Sequence, residues 1–82
     1  MKYELYTDVA LTVDIPDHHL KRGDIAKIVD YLPAGDNPEP GLALEVFNAL
    51  GETIDVIMVA ESEVELLQHD EVRHIRHLVE AV

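Results

Sequence analysis

The stretch Leu20-Lys21-Arg22-Gly23-Asp24-Ile25-Ala26-Lys27-Ile28-Val29 decides the fold. A basic pair runs into a Gly-Asp turn, and the turn opens an apolar run rich in Ile and Val. Glycine reaches positive φ at no steric cost, so it suits the turn. β-branched residues fit a pleated, half-buried surface, so they suit a strand leaving that turn. This is a strand of a small β-barrel launched from a loop. The run continues to Leu32 and Pro33 stops it, which predicts a strand over Ile25–Leu32. Ile25 and Ile28 are three apart, so a regular strand cannot turn both to one face. Either a bulge intervenes near Ala26-Lys27 or both faces are partly covered.

Upstream, Val9, Leu11 and Val13 alternate with Ala10 and Thr12, the period of a half-buried strand over Asp8–Val13. Tyr3, Leu5 and Tyr6 extend that strand or pack as a lead-in. Asp14 to His19 is a loop, because Pro16 cannot donate to a ladder. Downstream, Pro33 to Gly41 holds Pro33, Pro38 and Pro40 with Gly35 and Gly41. Such a stretch reads as an exposed, mobile hairpin loop. The third strand, Leu42–Asn48, turns Leu44 and Val46 one way and Ala43, Glu45 and Phe47 the other, with Phe47 expected in the core. Gly51 then supplies the positive φ of a short hairpin turn with a bulge. In the fourth strand, Thr53–Val59, Ile54, Val56 and Met58 make the plainly apolar face. Thr53, Asp55, Ile57 and Val59 make a mixed one.

Ser62 and Glu65 have capping-box spacing, which predicts one short helical turn of 3₁₀ type. His69-Asp70-Glu71 is a turn. From Val72 to Leu78 two patterns compete. A strand would group Val72, His74, Arg76 and Leu78, whereas a helix would group Val72, Ile75, Leu78 and Val79.

Eighty-two residues make one domain, here residues 1–82, with a thin stability margin. The chain is 48% hydrophobic but only 5% aromatic, so its core must be aliphatic. Without cysteine there is no disulfide, no thiolate metal site and no cysteine nucleophile, which fits a reducing compartment. The charged start Met1-Lys2-Tyr3-Glu4 lacks the apolar core of a signal peptide. No apolar run approaches the roughly 20 residues that span a bilayer. The expected location is the cytoplasm. A net charge of −11 repels phosphate backbones and anionic lipid and favours basic partners.

The element order is two strands joined by a loop ending in Arg-Gly-Asp, a breaker, a strand–Gly–strand hairpin, a short turn and a last strand. It resembles an SH3-like barrel. The segment Lys21 to Val29 also looks like the glycine-containing core of a KOW-type module. Four stretches together resemble the bacterial family called domain of unknown function 4926. They are Asp8-Val9-Ala10-Leu11-Thr12, Leu20-Lys21-Arg22-Gly23-Asp24, Glu45 to Thr53, and Val72-Arg73-His74-Ile75-Arg76. That family brings no activity with it. The SH3-like resemblance implies an all-β, five-stranded small barrel with one 3₁₀ turn before the last strand. It also implies that Val72–Leu78 is that strand, paired near the first, with Val79–Val82 a frayed tail.

No catalytic constellation is assembled. Thr53 near Asp55 and Ser62 near Glu65 lack a placeable histidine base, and Ser62 reads as a helix cap. No glycine-rich phosphate loop precedes a lysine. The chain is therefore expected not to be an enzyme and to need no cofactor. Lys21, Arg22 and Lys27 lie close in sequence, and Arg73 with Arg76 could join them across the sheet as a basic, partner-binding patch. The expected function is a non-catalytic protein-interaction module. Its concrete forms are an acidic accessory or antitoxin/immunity-type partner of a neighbouring protein, or a homo-oligomer. The alternative is a KOW-like nucleic-acid-associated domain, which the acidic balance disfavours.

Five histidines raise the question of a metal. His74 and His77 share a face on a helix but diverge on a strand, and His18-His19 diverge when extended. No third ligand has coherent spacing. Calorimetric titration with zinc at neutral pH should therefore give only weak heats. A stoichiometric sub-micromolar site abolished by His74→Ala with His77→Ala would overturn this expectation and the strand reading of the C-terminus.

Overall fold

A computed structural model describes residues 3–67. Its strands are β1 (Asp8–Leu11), β2 (Ile25–Leu32), β3 (Gly41–Phe47), β4 (Thr53–Ala60) and β5 (Val64–Leu66). Two 3₁₀ turns, Pro16–His18 and Glu61–Glu63, lie in the β1–β2 and β4–β5 connections. The sheet is antiparallel throughout, in the order β4-β3-β2-β1-β5. The first four strands form a meander, and β5 returns to pair with β1 on its far side. Among the described residues the sheet is open, with β4 and β5 as its two edges.

One face of the sheet carries the core. Val9 and Leu11 come from β1, Ala26 and Ile28 from β2, Leu42, Leu44 and Val46 from β3, Ile57 and Val59 from β4, and Val64 from β5. Leu20 joins them from the β1–β2 loop and Tyr3 from the N-terminal lead-in. Among the described residues no polar or charged residue other than tyrosine is buried. The Tyr3 hydroxyl donates to the Val64 carbonyl at 3.2 Å, so the buried phenol is satisfied.

The second strand has the predicted bounds, but its irregularity lies elsewhere. Register is continuous through Ala26 and Lys27 and shifts between Ile28 and Asp30. The extra residue, Val29, restores Tyr31 to the core side opposite Leu42, where it packs half-buried against the cluster. Ile25 is on the other face, opposite Ala10. Both faces are thus partly covered at that end, and no bulge at Ala26-Lys27 is needed.

Three further expectations are corrected. The first strand ends at Leu11, two residues early, where the Gly23 N–H donates to the Leu11 carbonyl at 2.8 Å. Phe47 is half-buried on the face away from the core and is absent from the core cluster. Ser62 does not cap the 3₁₀ turn. Glu63 reaches back to accept the Ala60 N–H at 2.7 Å, while the Ser62 N–H and hydroxyl both donate to the Glu39 carboxylate, at 2.6 and 2.9 Å. The strand after this turn is Val64–Leu66, a segment expected to belong to the turn itself. It pairs with β1. Val72–Leu78 lies outside the described residues.

The Pro33–Gly41 loop is anchored at its end. Besides the two bonds to Glu39, the Pro40 carbonyl accepts the Glu61 N–H at 3.0 Å. Thr12 at the end of β1 donates its N–H to the Glu63 carbonyl at 2.9 Å. The β2–β3 loop, the β4–β5 turn and the end of β1 therefore form one hydrogen-bonded junction.

Gly23 and Gly51 occupy turns at φ +92° and +82°. A Cβ at either would meet nothing within 4 Å, so the limitation is backbone conformation and not space. In the β3–β4 turn the Asn48 side-chain oxygen accepts the N–H groups of Leu50 and Glu52, at 2.9 and 3.0 Å. The Gly51 N–H donates to the Asn48 carbonyl at 3.0 Å. Gly51→Val should destabilise the protein by more than about 1 kcal/mol in denaturant unfolding, because a β-branched residue is strained at positive φ. Gly51→Asn should lose less, since asparagine tolerates that region. Equal stability of the valine variant and the wild type would remove the hairpin argument.

Candidate functional site

The register of β4 sets its outer surface. Leu42 pairs with Val59 and Leu44 with Ile57, so those two β4 residues are buried. Side chains alternate along a strand. Val56 and Met58 must therefore point to the other face, and both are 54% exposed; Ile54, 41% exposed, is the unpaired extra residue where the register shifts between Val46 and Phe47. The face expected to be core is the exposed one, and the mixed face is the buried one. Asp55, which made that face look mixed, lies at its margin opposite Val46.

The exposed stripe runs along an edge strand. β4 is eight residues long and contains neither lysine nor proline; its edge is modulated by the bulge at Ile54 and by Asp55 on the inner side, opposite Val46. β5, the other edge, is three residues long and carries Glu65 at its middle. Beside the stripe, on the same face, stand two acids. Glu45 on β3 is opposite Val56, and Asp30 on β2 is opposite Ala43, which is itself opposite Met58.

His18 reaches this strand from the first 3₁₀ turn. Its Nδ1 is 2.8 Å from Asp55 Oδ2, and Asp55 Oδ1 accepts the Val56 N–H at 2.9 Å. One carboxylate thus holds the long β1–β2 loop to β4 and occupies an amide at the strand's centre. Sequence reading found no histidine for Asp55, because the two partners are 37 residues apart. Only the path of the loop across the sheet brings them together.

Of the basic residues expected to meet a partner, Lys21, Arg22 and Lys27 are among the described residues. Lys21 and Arg22 are exposed in the β1–β2 loop. Their backbone amides donate to Asp24 and Asp14 carboxylates at 2.8 and 2.9 Å. Lys27 lies on the outer face of β2, with its Nζ 3.4 Å from Asp8 Oδ1, directly across the strand pair. Arg73 and Arg76 lie outside the described residues, as do His69, His74 and His77. Among the described residues no group of three metal-ligating side chains converges. No helix among them is long and apolar enough to cross a membrane.

The profile of the family "Domain of unknown function (DUF4926)" matches residues 5–66, a span that takes in all five strands. The chain belongs to that family. Neither the curated proteins nor the solved structures gave a match.

The His18–Asp55 pair is about two-fifths exposed on each side, so its coupling should be small. A double-mutant cycle with His18→Ala and Asp55→Ala should return about 0.2–1 kcal/mol, falling with salt. Asp55→Ala alone should cost more than His18→Ala alone, because it also releases the Val56 amide. The reverse order would mean that the carboxylate does not serve both partners.

Proposed function

We propose that this protein is a non-catalytic protein-interaction module, built on an SH3-like small barrel and working in the cytoplasm as an acidic partner of another protein. The observation that carries the reading is the exposed apolar stripe Ile54, Val56 and Met58 on an edge strand without lysine or proline. Proteins normally blunt such edges, and an edge left open suits strand pairing with another chain. The barrel reading draws support from the strand order, a four-strand meander with β5 returning to β1 after a 3₁₀ turn. It also draws support from one core cluster fed by all five strands.

The charge of −11 favours a basic partner and disfavours a polyanion. Aromatic exposure points the same way. Tyr3 is buried, Tyr31 and Phe47 are half-buried, and Tyr6 is the openly exposed aromatic. Recognition of single-stranded RNA relies on aromatic platforms.

Sedimentation across a salt series, with and without the product of the adjacent gene, tests this reading. A basic protein partner should bind, and its association should slow as salt screens the attraction. A strict monomer that ignores its neighbour, yet shifts an RNA probe at physiological salt, would sink the proposal in favour of the nucleic-acid alternative.

A further inference from the structure

Resting on the interaction-module reading, we infer that the edge of β4, unpaired among the described residues, takes one added strand from a basic partner protein, with apolar residues alternating with lysine or arginine. Val56 and Met58 supply side-chain contacts two positions apart, the spacing an added strand presents, and Ile54 at the register shift adds apolar surface at their end. Behind them, on the same face, the row of Val56 runs through Glu45 to Lys27 and Asp8 and the row of Met58 runs through Ala43 to Asp30, so both rows are net negative although Lys27 stands opposite Glu45. An added strand would lie two strand spacings, roughly 10 Å, from the β3 row. That is about one Debye length at physiological salt, and Asp30 on β2 is one spacing farther, so long cationic side chains reaching back over β4 are attracted mainly to Glu45. A purely apolar strand would leave this charge unused, and an acidic one would be repelled.

A second copy of this chain fits less well. Pairing β4 with β4 of a copy would match Val56 with Val56 and Ile54 with Met58, which is apolar and self-complementary. It would also place Glu45 and Asp30 on both sides of the seam, between two bodies each carrying −11. The apolar match is opposed by the charge, whereas a basic strand satisfies both.

Asp55 tunes the same edge. Its Oδ1 holds the Val56 N–H, so that amide is already engaged in the free protein. An incoming carbonyl must displace this side-chain bond, and the carboxylate remains held by His18 through Oδ2. The edge is therefore capped until a strand arrives that offers its own acceptors.

The test uses the full chain and a synthetic peptide of alternating lysine and valine. Comparison peptides are a block arrangement of the same residues, an alternating glutamate–valine peptide and oligolysine. The alternating lysine–valine peptide should bind at least tenfold more tightly than each comparison, with amide shifts confined to β4 and β3. Val56→Lys should weaken that binding at least tenfold. Val56 is exposed, so an unchanged amide spectrum elsewhere shows that the variant is folded. Asp30→Asn with Glu45→Gln should leave the apolar contacts and flatten the salt dependence. Equal binding of every cationic peptide, unmoved by Val56→Lys, would overturn the proposal. So would self-association that Val56→Lys abolishes, since the occupant would then be a second copy. If the adjacent gene's product binds wild type and Val56→Lys alike, this face is wrong and the interaction reading survives. If neither that product nor any peptide binds, the interaction reading itself fails.

Discussion

Leu44 lies between Ile28 on β2 and Ile57 on β4, and Leu42 lies between Tyr31 and Val59. These two rows fix the parity of β2, β3 and β4. Glu45 cannot be buried without a partner, so β3 turns Leu42, Leu44 and Val46 inward. Both neighbours then inherit their orientation from β3. β1 takes its own from Val9 opposite Ala26, and β5 takes its from Val64 opposite Leu11. A slip of one residue at any step would exchange the two faces of a strand, so the aliphatic rows specify the register strongly. Val29 is the one place where β2 breaks its alternation. Without that extra residue, Asp30 would face Leu42 in place of Tyr31.

The same parity explains what was legible in the sequence. Strands β2, β3 and β4 are bounded by Gly, Pro and Asn, and their ends lie within a residue of expectation. The turn glycines were legible for the same reason, since few other residues take positive φ cheaply. The faces of β4 were not. From Val56 to Ala60 both sides are apolar, so periodicity cannot separate them, and Asp55 tipped the reading the wrong way. That aspartate is tolerated on the core side because it sits at the margin, where His18 meets it. β5 was illegible because three residues, Val-Glu-Leu, carry no period. Only its partner β1 makes it a strand. The β4 stripe, which carries the candidate site, depends on a pairing register that no local window contains.

An aliphatic core in so small a chain leaves the ends of the sheet in need of other ties. Three are visible at one end: Glu39 on Ser62, Pro40 on Glu61, and Thr12 on Glu63. Tyr3 adds a fourth through the Val64 carbonyl, drawing the lead-in across the core. Net hydrogen-bond contributions are modest, about 0.5–1.5 kcal/mol each, but these bonds join segments far apart in sequence. They hold β5 against β1 although its pairing spans only three residues. They also explain why the proline-rich loop can be long without loosening the strands it joins.

An open edge without lysine or proline is ordinarily a liability, because it templates pairing with any similar strand. Here one part of the safeguard is on the edge, the bulge at Ile54 and the Asp55 carboxylate, and another is off it. The net charge of −11 acts on the whole body and opposes approach of a like-charged copy. It does so without a charged side chain beside Val56 and Met58 on the outer face, where any incoming strand would have to bury it. Body-wide repulsion is selective by sign, whereas a lysine on the strand would obstruct strands of either sign by having to be buried. A chain that keeps its edge apolar and its body acidic therefore discriminates between itself and a basic partner. On the proposed reading, the acidic composition is part of the recognition and not only of solubility. The Asp55 carboxylate, held by His18 and holding the Val56 amide, applies the same logic at a single residue. It satisfies the exposed backbone locally until a better acceptor displaces it.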